Sequence, residues 1–525
     1  MKKIKTLFFL VALSVLQFSC SSDAIDLDPQ GAISSDVVFT DPAFAETYLN
    51  EIYKGTPNGF YAPGQFYMLS AATDDAENSY PWPNSNTLFN TANITSAKSP
   101  YNSLWIDAYF QIRRLNNFIE NYDGLEGIDA VNNRLKGEAH FLRAYYYALL
   151  LKTFGGVPII TVPQELTDDL LVSRNTKDET LDFVISEFDT AAGYFENAET
   201  AGTTRGSWDA AMAMKGRVLL YEGKYAESAS ASKQVLDNTS KSLDSDYQGI
   251  FLNDFTSEVI FDTQFKDPDK IHWGNLFNTP MSNSEVSGWG GNNPTQNLID
   301  QYEMKATGML PSESGSGYNA RNPYAGRDPR FEASILYDGS VWKGVTWYFR
   351  PRGHAAISSS GDWTRTGYNM KKFIEEDTNH NNPSAQHWVH IRLAEVYLNY
   401  AEALIESGTD LSMATDAINT IRTRSSMPDI STGNQSELRS KLRHERRIEL
   451  AFEEHRFWDI RRWGIAGDAE TLTIYRVDMS RQGRLIDDGK EIWETRNWNA
   501  AAGKLFPIPQ FEIDKNPNLT QNPGY

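Results

Sequence analysis

Four tryptophans lie in stretches where helical pattern is scarce, Trp82, Trp289, Trp342 and Trp363, and the stretches around Trp82 and Trp289 set them beside amides and carboxylates. Trp82 is held between Pro81 and Pro83 and followed by Asn84, Ser85 and Asn86, with Asp74 upstream. Trp289 sits in Ser287-Gly288-Trp289-Gly290-Gly291-Asn292-Asn293-Pro294, and Trp363 has Arg365 beside it. An indole face stacks on the apolar C–H face of a sugar ring, while Asn, Asp and Arg match the rim of hydroxyls. Proline and glycine stiffen and expose the aromatic, which lowers the ordering cost of binding. The candidate glycan-binding residues are therefore Trp82, Trp289, Trp342 and Trp363 as platforms, with Asn86, Asp74 and Arg365 as hydroxyl partners. Loss of any one platform is expected to leave the fold intact. Trp105, Trp208, Trp388, Trp458 and Trp463 lie on helical patterns and are assigned to the core.

Other chemistries are less well supplied. Asp74, Asp75 and Asp328 could provide the two carboxylates of a glycosidase, which need a separation of about 5 to 9.5 Å. His387 and His390 stand three apart on an expected helix, half of a metal site without the HExxH pattern or a cysteine ligand beside it. Asp377-Thr378-Asn379-His380-Asn381 begins like a calcium loop, but Asn382 replaces the glycine and Trp388 the closing glutamate. No nucleophile elbow or phosphate loop is present. The residues point to binding without catalysis, and neither cofactor nor resident metal is expected.

The elements that must position these residues are helical. Apolar residues recur at steps of three and four over residues 101–122 and again from Leu135 to Leu149, where Phe154-Gly155-Gly156-Val157-Pro158 supplies a stop. Further helices are expected over residues 177–195, 208–221, 225–236, 388–406, 412–424 and 436–463. Residues 213–236 and 398–421 share a pattern of helix, glycine turn and helix with alanines along the seam, as in tetratricopeptide units. Within 436–463, Ile448, Ala451 and Phe452 mark a buried stripe. Arg446 with Glu449, Glu453 with Arg456, and Asp459 with Arg462 are spaced to pair along the helix. Residues 270–365 differ, with five of the thirteen tryptophans and twelve of the thirty-six glycines, about twice an even share. The fold class is all-α: a tetratricopeptide-like hairpin scaffold over about 40–265 and 385–525, with a loop-rich, aromatic-rich insertion over about 270–380 carrying the site.

The N-terminus predicts where this body works. Lys2, Lys3 and Lys5 precede an apolar run of about twelve residues, shorter than the roughly 20 of a spanning helix, and the only cysteine, Cys20, follows. This resembles a bacterial lipoprotein signal: residues 1–19 are removed and Cys20 carries the lipid, leaving residues 20–525 as one body tethered to a membrane. The formal charge of −20 becomes −23 without those lysines, which argues against a nucleic-acid partner. Asp23, Asp26 and Asp28 resemble the acidic tag that directs Bacteroidetes lipoproteins to the outer surface.

Several motifs carry a family resemblance: Leu27-Asp28-Pro29-Gln30, the run from Glu138 to Tyr147 followed by Phe154-Gly155-Gly156-Val157-Pro158, the run from Arg392 to Ala403, the runs from Glu445 to Glu453 and from Arg456 to Gly464, and the ending from Pro507 to Tyr525. The chain resembles, nearly end to end, the SusD/RagB family of Bacteroidetes outer-membrane nutrient-binding lipoproteins. The resemblance implies a helical core with tetratricopeptide-like hairpins and a ligand site on the loop-rich excursion. It also implies a TonB-dependent, SusC-like barrel transporter as partner and oligosaccharide or polysaccharide as ligand, with peptide as the alternative in some members.

Overall fold

A computed structural model describes residues 38–61, 68–80, 85–198 and 204–525; Cys20 and Trp82 lie outside the described residues. Among the described residues, ten helices of eight or more residues form the scaffold: α1 (Pro42–Lys54), α2 (Asn102–Asn121), α3 (Asp129–Phe154), α4 (Lys177–Phe195), α5 (Trp208–Tyr221), α6 (Tyr225–Asn238), α7 (Leu393–Ser407), α8 (Leu411–Arg424), α9 (Gln435–Glu449) and α10 (His455–Arg462). The strands of three or more residues are β1 (Ala76–Asn78), β2 (Val259–Thr263), β3 (Asn292–Pro294), β4 (Trp388–Arg392), β5 (Thr473–Met479) and β6 (Leu485–Thr495). All pair two by two and antiparallel: β1 with β3, β2 with β4, and β5 with β6.

Local chemistry sets the helix ends. Thr176 and Glu179 close a capping box on α4, Asn434 and Glu437 another on α9. Gly408 takes the left-handed conformation that ends α7, and Gly223 does so between α5 and α6. The two helix–glycine–helix patterns fold as hairpins, α5–α6 and α7–α8. Small residues bring the first pair close, since the Ser228 hydroxyl donates to the Gly216 carbonyl at 2.8 Å and a Cβ on Gly216 would lie 2.8 Å from Ser232 Oγ. The chain leaves the stack after α6 and returns as α7, which packs directly on α6. The excursion is thus an insertion between neighbouring helices, and its aromatic residues share a core with Trp388 of β4 and with Ile448, Ala451 and Phe452 at and just after the end of α9.

The structure corrects three expectations. Residues 388–406 are not one helix: Trp388–Arg392 is strand β4, paired to β2, and only Leu393 begins α7. His387 and His390 are therefore not on a helix. His387 pairs with Asp262 at 2.5 Å, and His390 Nε2 meets Thr263 Oγ1 at 2.7 Å. Residues 436–463 break between α9 and α10, where Phe452 and Glu454 hold left-handed φ of 67° and 66°. Of the three pairs expected along that segment, only Asp459 with Arg462 forms, at 2.8 Å. Arg446 turns to Asp459 and Arg456 to Asp74, while Glu449 and Glu453 meet arginines from other elements.

Candidate functional site

Trp289 is carried on a loop that lies against the end of a short helix, Gly274–Asn278. The Trp289 amide donates to the Leu276 carbonyl at 2.9 Å, Gly290 to Thr279 at 2.8 Å and Gly291 to Phe277 at 2.6 Å. Only glycine fits between them: a Cβ on Gly288 would stand 2.6 Å from the carbonyl oxygens of both Leu276 and Thr279. The ring that this backbone presents is 43% exposed. Phe277 stacks behind it at 4.9 Å between centroids, and Tyr80 meets it edge-on at 6.1 Å. The indole is held rigidly with much of its surface free, the condition for a stacking platform.

Three segments far apart in sequence converge here. Pairing of β1 with β3 brings Asn78 opposite Asn292, and beyond it Ser79 Oγ donates to the Trp289 carbonyl at 3.1 Å. Residues 358–365 complete the group through Arg365. Its guanidinium donates to the carbonyls of Ser79 at 2.5 Å, Gly361 at 2.8 Å and Ser358 at 2.8 Å, and its amide donates to Asn293 Oδ1 at 2.9 Å. Arg365 is buried and fastens the loops around Trp289, its guanidinium taken up by backbone carbonyls and not, as expected from the sequence, open to a ligand hydroxyl. Trp363 is half-buried on the same segment. Asp362 beside it has a buried Oδ1 with no hydrogen-bond partner among the described residues, and burial raises its carboxyl above the usual carboxylate range.

The other sequence candidates fall elsewhere. Trp342 is fully buried: its ring lies 6.1 Å from Trp347, whose indole N–H donates to the Trp342 carbonyl at 3.1 Å. It belongs to the core of the excursion. A Lys343-Gly344 turn, both residues at positive φ, folds its two-residue strand back and turns the indole inward. Asp74 is buried and gripped by Arg456 at 2.7 and 2.9 Å and by Arg447 at 2.9 Å. Burial alone would raise its carboxyl, but these guanidinium groups hold it down at about 2. Asp74 is scaffold. Asn86 lies on a short helix, Ser85–Thr91, with its side chain outside the described residues. Sequence reasoning missed Tyr80, Phe277 and Asp362. Tyr80 and Asp362 adjoin residues already singled out and could have been found by that adjacency, whereas nothing in the sequence marks Phe277.

A helical-hairpin scaffold with an inserted, loop-borne aromatic platform defines a class of binding protein, and comparison with known proteins names it. A model of the SusD family matches residues 257–525, just over half of the chain. A second, described as starch-binding and associating with the outer membrane, matches residues 27–220. This chain belongs to the SusD family. SusD-like protein P2 of Formosa agariphila is 23% identical across the whole of both chains. A SusD-like protein of Bacteroides fragilis is 29% identical with a TM-score of 0.80, over 95% of this chain and all of that one. A SusD-like carbohydrate binding protein of the same species is 25% identical with a TM-score of 0.82, over 92% of this chain and all of that one.

Proposed function

We propose that this protein captures glycan on the Trp289 surface at the outside of the cell and delivers it, unaltered, to a TonB-dependent transporter in the outer membrane. The observation that carries the reading is the exposed Trp289 indole on a backbone that cannot relax, with Asp362 nearby, its Oδ1 without a hydrogen-bond partner among the described residues. The description of the family model as starch-binding and the carbohydrate-binding relative support the ligand class. Binding without turnover is supported by the acids considered for hydrolysis: Asp74 and Asp75 are bound to arginines 447 and 456, and Asp328 to Arg330. A glycosidase needs one of its two carboxyls protonated and free to reach the glycosidic oxygen.

Titration calorimetry against plant, host and microbial oligosaccharides tests this. At least one should bind, with no new reducing ends on incubation, and Trp289→Ala should weaken it by about tenfold, the loss of one aromatic stacking contact and its area. Its melting temperature should stay unchanged, because an exposed ring contributes little packing. Heat from peptides and none from glycans would replace the ligand class; release of sugar would replace the reading with an enzyme.

The anchor is tested separately. Cys20→Ser should move the protein from the membrane fraction to the soluble one, because no helix among the described residues is long and apolar enough to cross a membrane. Protein that stays in the outer membrane would mean that the transporter alone retains it.

A further inference from the structure

A second cavity lies in the helical scaffold, walled by residues unlike those around Trp289. It encloses about 460 Å³ beside α2 and α3, and a smaller space of about 110 Å³ adjoins it toward β4. Lys152, from the last turn of α3, and Glu454, from the break before α10, line both spaces and stand at their junction. Among the described residues neither makes a hydrogen bond or a direct ion pair; both side chains are half-buried, and each feels the opposite charge of the other across the junction. The Lys152 ammonium lies 4.4 Å over the Trp458 ring. Glu454 holds φ of 66°, a conformation that glycine adopts freely and a glutamate does not, so its carboxylate is placed here against the preference of its own backbone. Tyr101 and Thr153 also line the larger space; the Tyr101 hydroxyl and Thr153 Oγ1 are themselves buried and have no hydrogen-bond partner among the described residues.

We propose that this cavity binds a small zwitterion of the amino-acid type, its carboxylate on the Lys152 ammonium and its ammonium on the Glu454 carboxylate. Lys152 and Glu454 attract one another without meeting in a direct ion pair, and a ligand bearing one charge of each sign bridges them, whereas a neutral sugar brings no charge to either. Leu104 and Leu149 face the same space and suit a hydrocarbon side chain. Ser103 and Asp107, exposed on α2, mark the way in. The electrostatics agree: burial pushes the Lys152 ammonium down to about 8 and the Glu454 carboxyl up to about 7, so each charge is incompletely compensated as the cavity stands.

Calorimetry on the full-length protein with L-leucine, L-phenylalanine and the dipeptide Leu-Phe tests the proposal, with N-acetyl-L-leucine, L-leucinamide and glucose as controls. At least one of the three probes should bind with one-to-one stoichiometry. Each blocked leucine should bind at least tenfold more weakly than a free zwitterion, and Lys152→Met and Glu454→Gly should weaken the probe by at least tenfold. Glu454→Gly should melt no earlier than the parent, since glycine suits the left-handed position. Trp289→Ala should leave amino-acid binding unchanged, which separates this site from the glycan platform. The proposal is overturned if none of the three probes binds, if the blocked leucines bind as well as the free ones, if a folded Glu454→Gly binds like the parent, or if Trp289→Ala abolishes the heat. Should either cavity variant melt early, the blocked leucines decide the matter on the unaltered protein.

Discussion

Replacing Arg392 by leucine is expected to cost about 3 to 5 kcal/mol of folding stability, the loss typical of leaving buried carboxylates without their partner. The Arg392 guanidinium donates to Glu258 at 2.6 Å, to Glu449 at 2.7 Å and to both oxygens of Glu453 at 2.7 and 2.8 Å, all inside the protein. Glu449 is also bound by Arg330 at 2.8 Å and by Arg424, and Glu453 by Lys372 at 2.8 Å. Arg330 and Lys372 come from the excursion, and Glu449 and Glu453 from the end of α9 and the residues after it, so the network fastens the insertion to the scaffold. Denaturant unfolding at neutral pH reads the loss; an unchanged midpoint would mean that the remaining cations take over.

The same network predicts the response to acid. Burial would raise the Glu449 carboxyl, but Arg424, Arg392 and Arg330 hold it well below the usual range, and arginines likewise hold Asp459 at about 2. A carboxyl whose folded pKa is depressed stabilises the fold above its unfolded pKa of about 4 and loses that contribution as pH falls through the folded value. Stability should therefore fall from about pH 4 toward pH 2. In Arg392→Leu the acid midpoint should move upward, because Glu449 and Glu453 then take up protons earlier.

Trp342→Ala is the second large effect, at about 3 to 5 kcal/mol, the usual cost of deleting a buried aromatic. The side chain is 0% exposed and packs against Trp347 in the core of the excursion. Both tryptophans come from the same glycine- and tryptophan-rich segment, yet the two variants should behave oppositely, Trp342→Ala melting early and Trp289→Ala melting normally but binding glycan poorly. A Trp342→Ala protein as stable as the parent would show that the core closes over the missing indole.

The scaffold was legible because helical periodicity is a local property. Residues 177–195 carry both their apolar spacing and their cap, and α4 occupies that span. The reading failed where the deciding partner lay far away. Over Trp388–Arg392 five residues are too few to separate a strand from a helix, and the choice falls to β2, more than a hundred residues earlier. The break at Phe452 and Glu454 has neither glycine nor proline to announce it, and tertiary packing holds both residues left-handed.

The sequence by itself determined that this chain is a helical-hairpin scaffold with an aromatic, glycine-rich insertion, because spacing and composition need no partner to be read. Only the tertiary structure decided what each candidate residue does. Whether a tryptophan stays exposed or joins the core depends on what covers it: Phe277 and Tyr80 leave Trp289 open, while Trp347 and its neighbours close over Trp342. Asp74 and Arg365 look alike as polar neighbours of loop aromatics, but one meets guanidinium groups from residues 447 and 456 and the other three backbone carbonyls. Exposure and charge pairing are set by groups tens to hundreds of residues distant, and a local pattern carries no record of them.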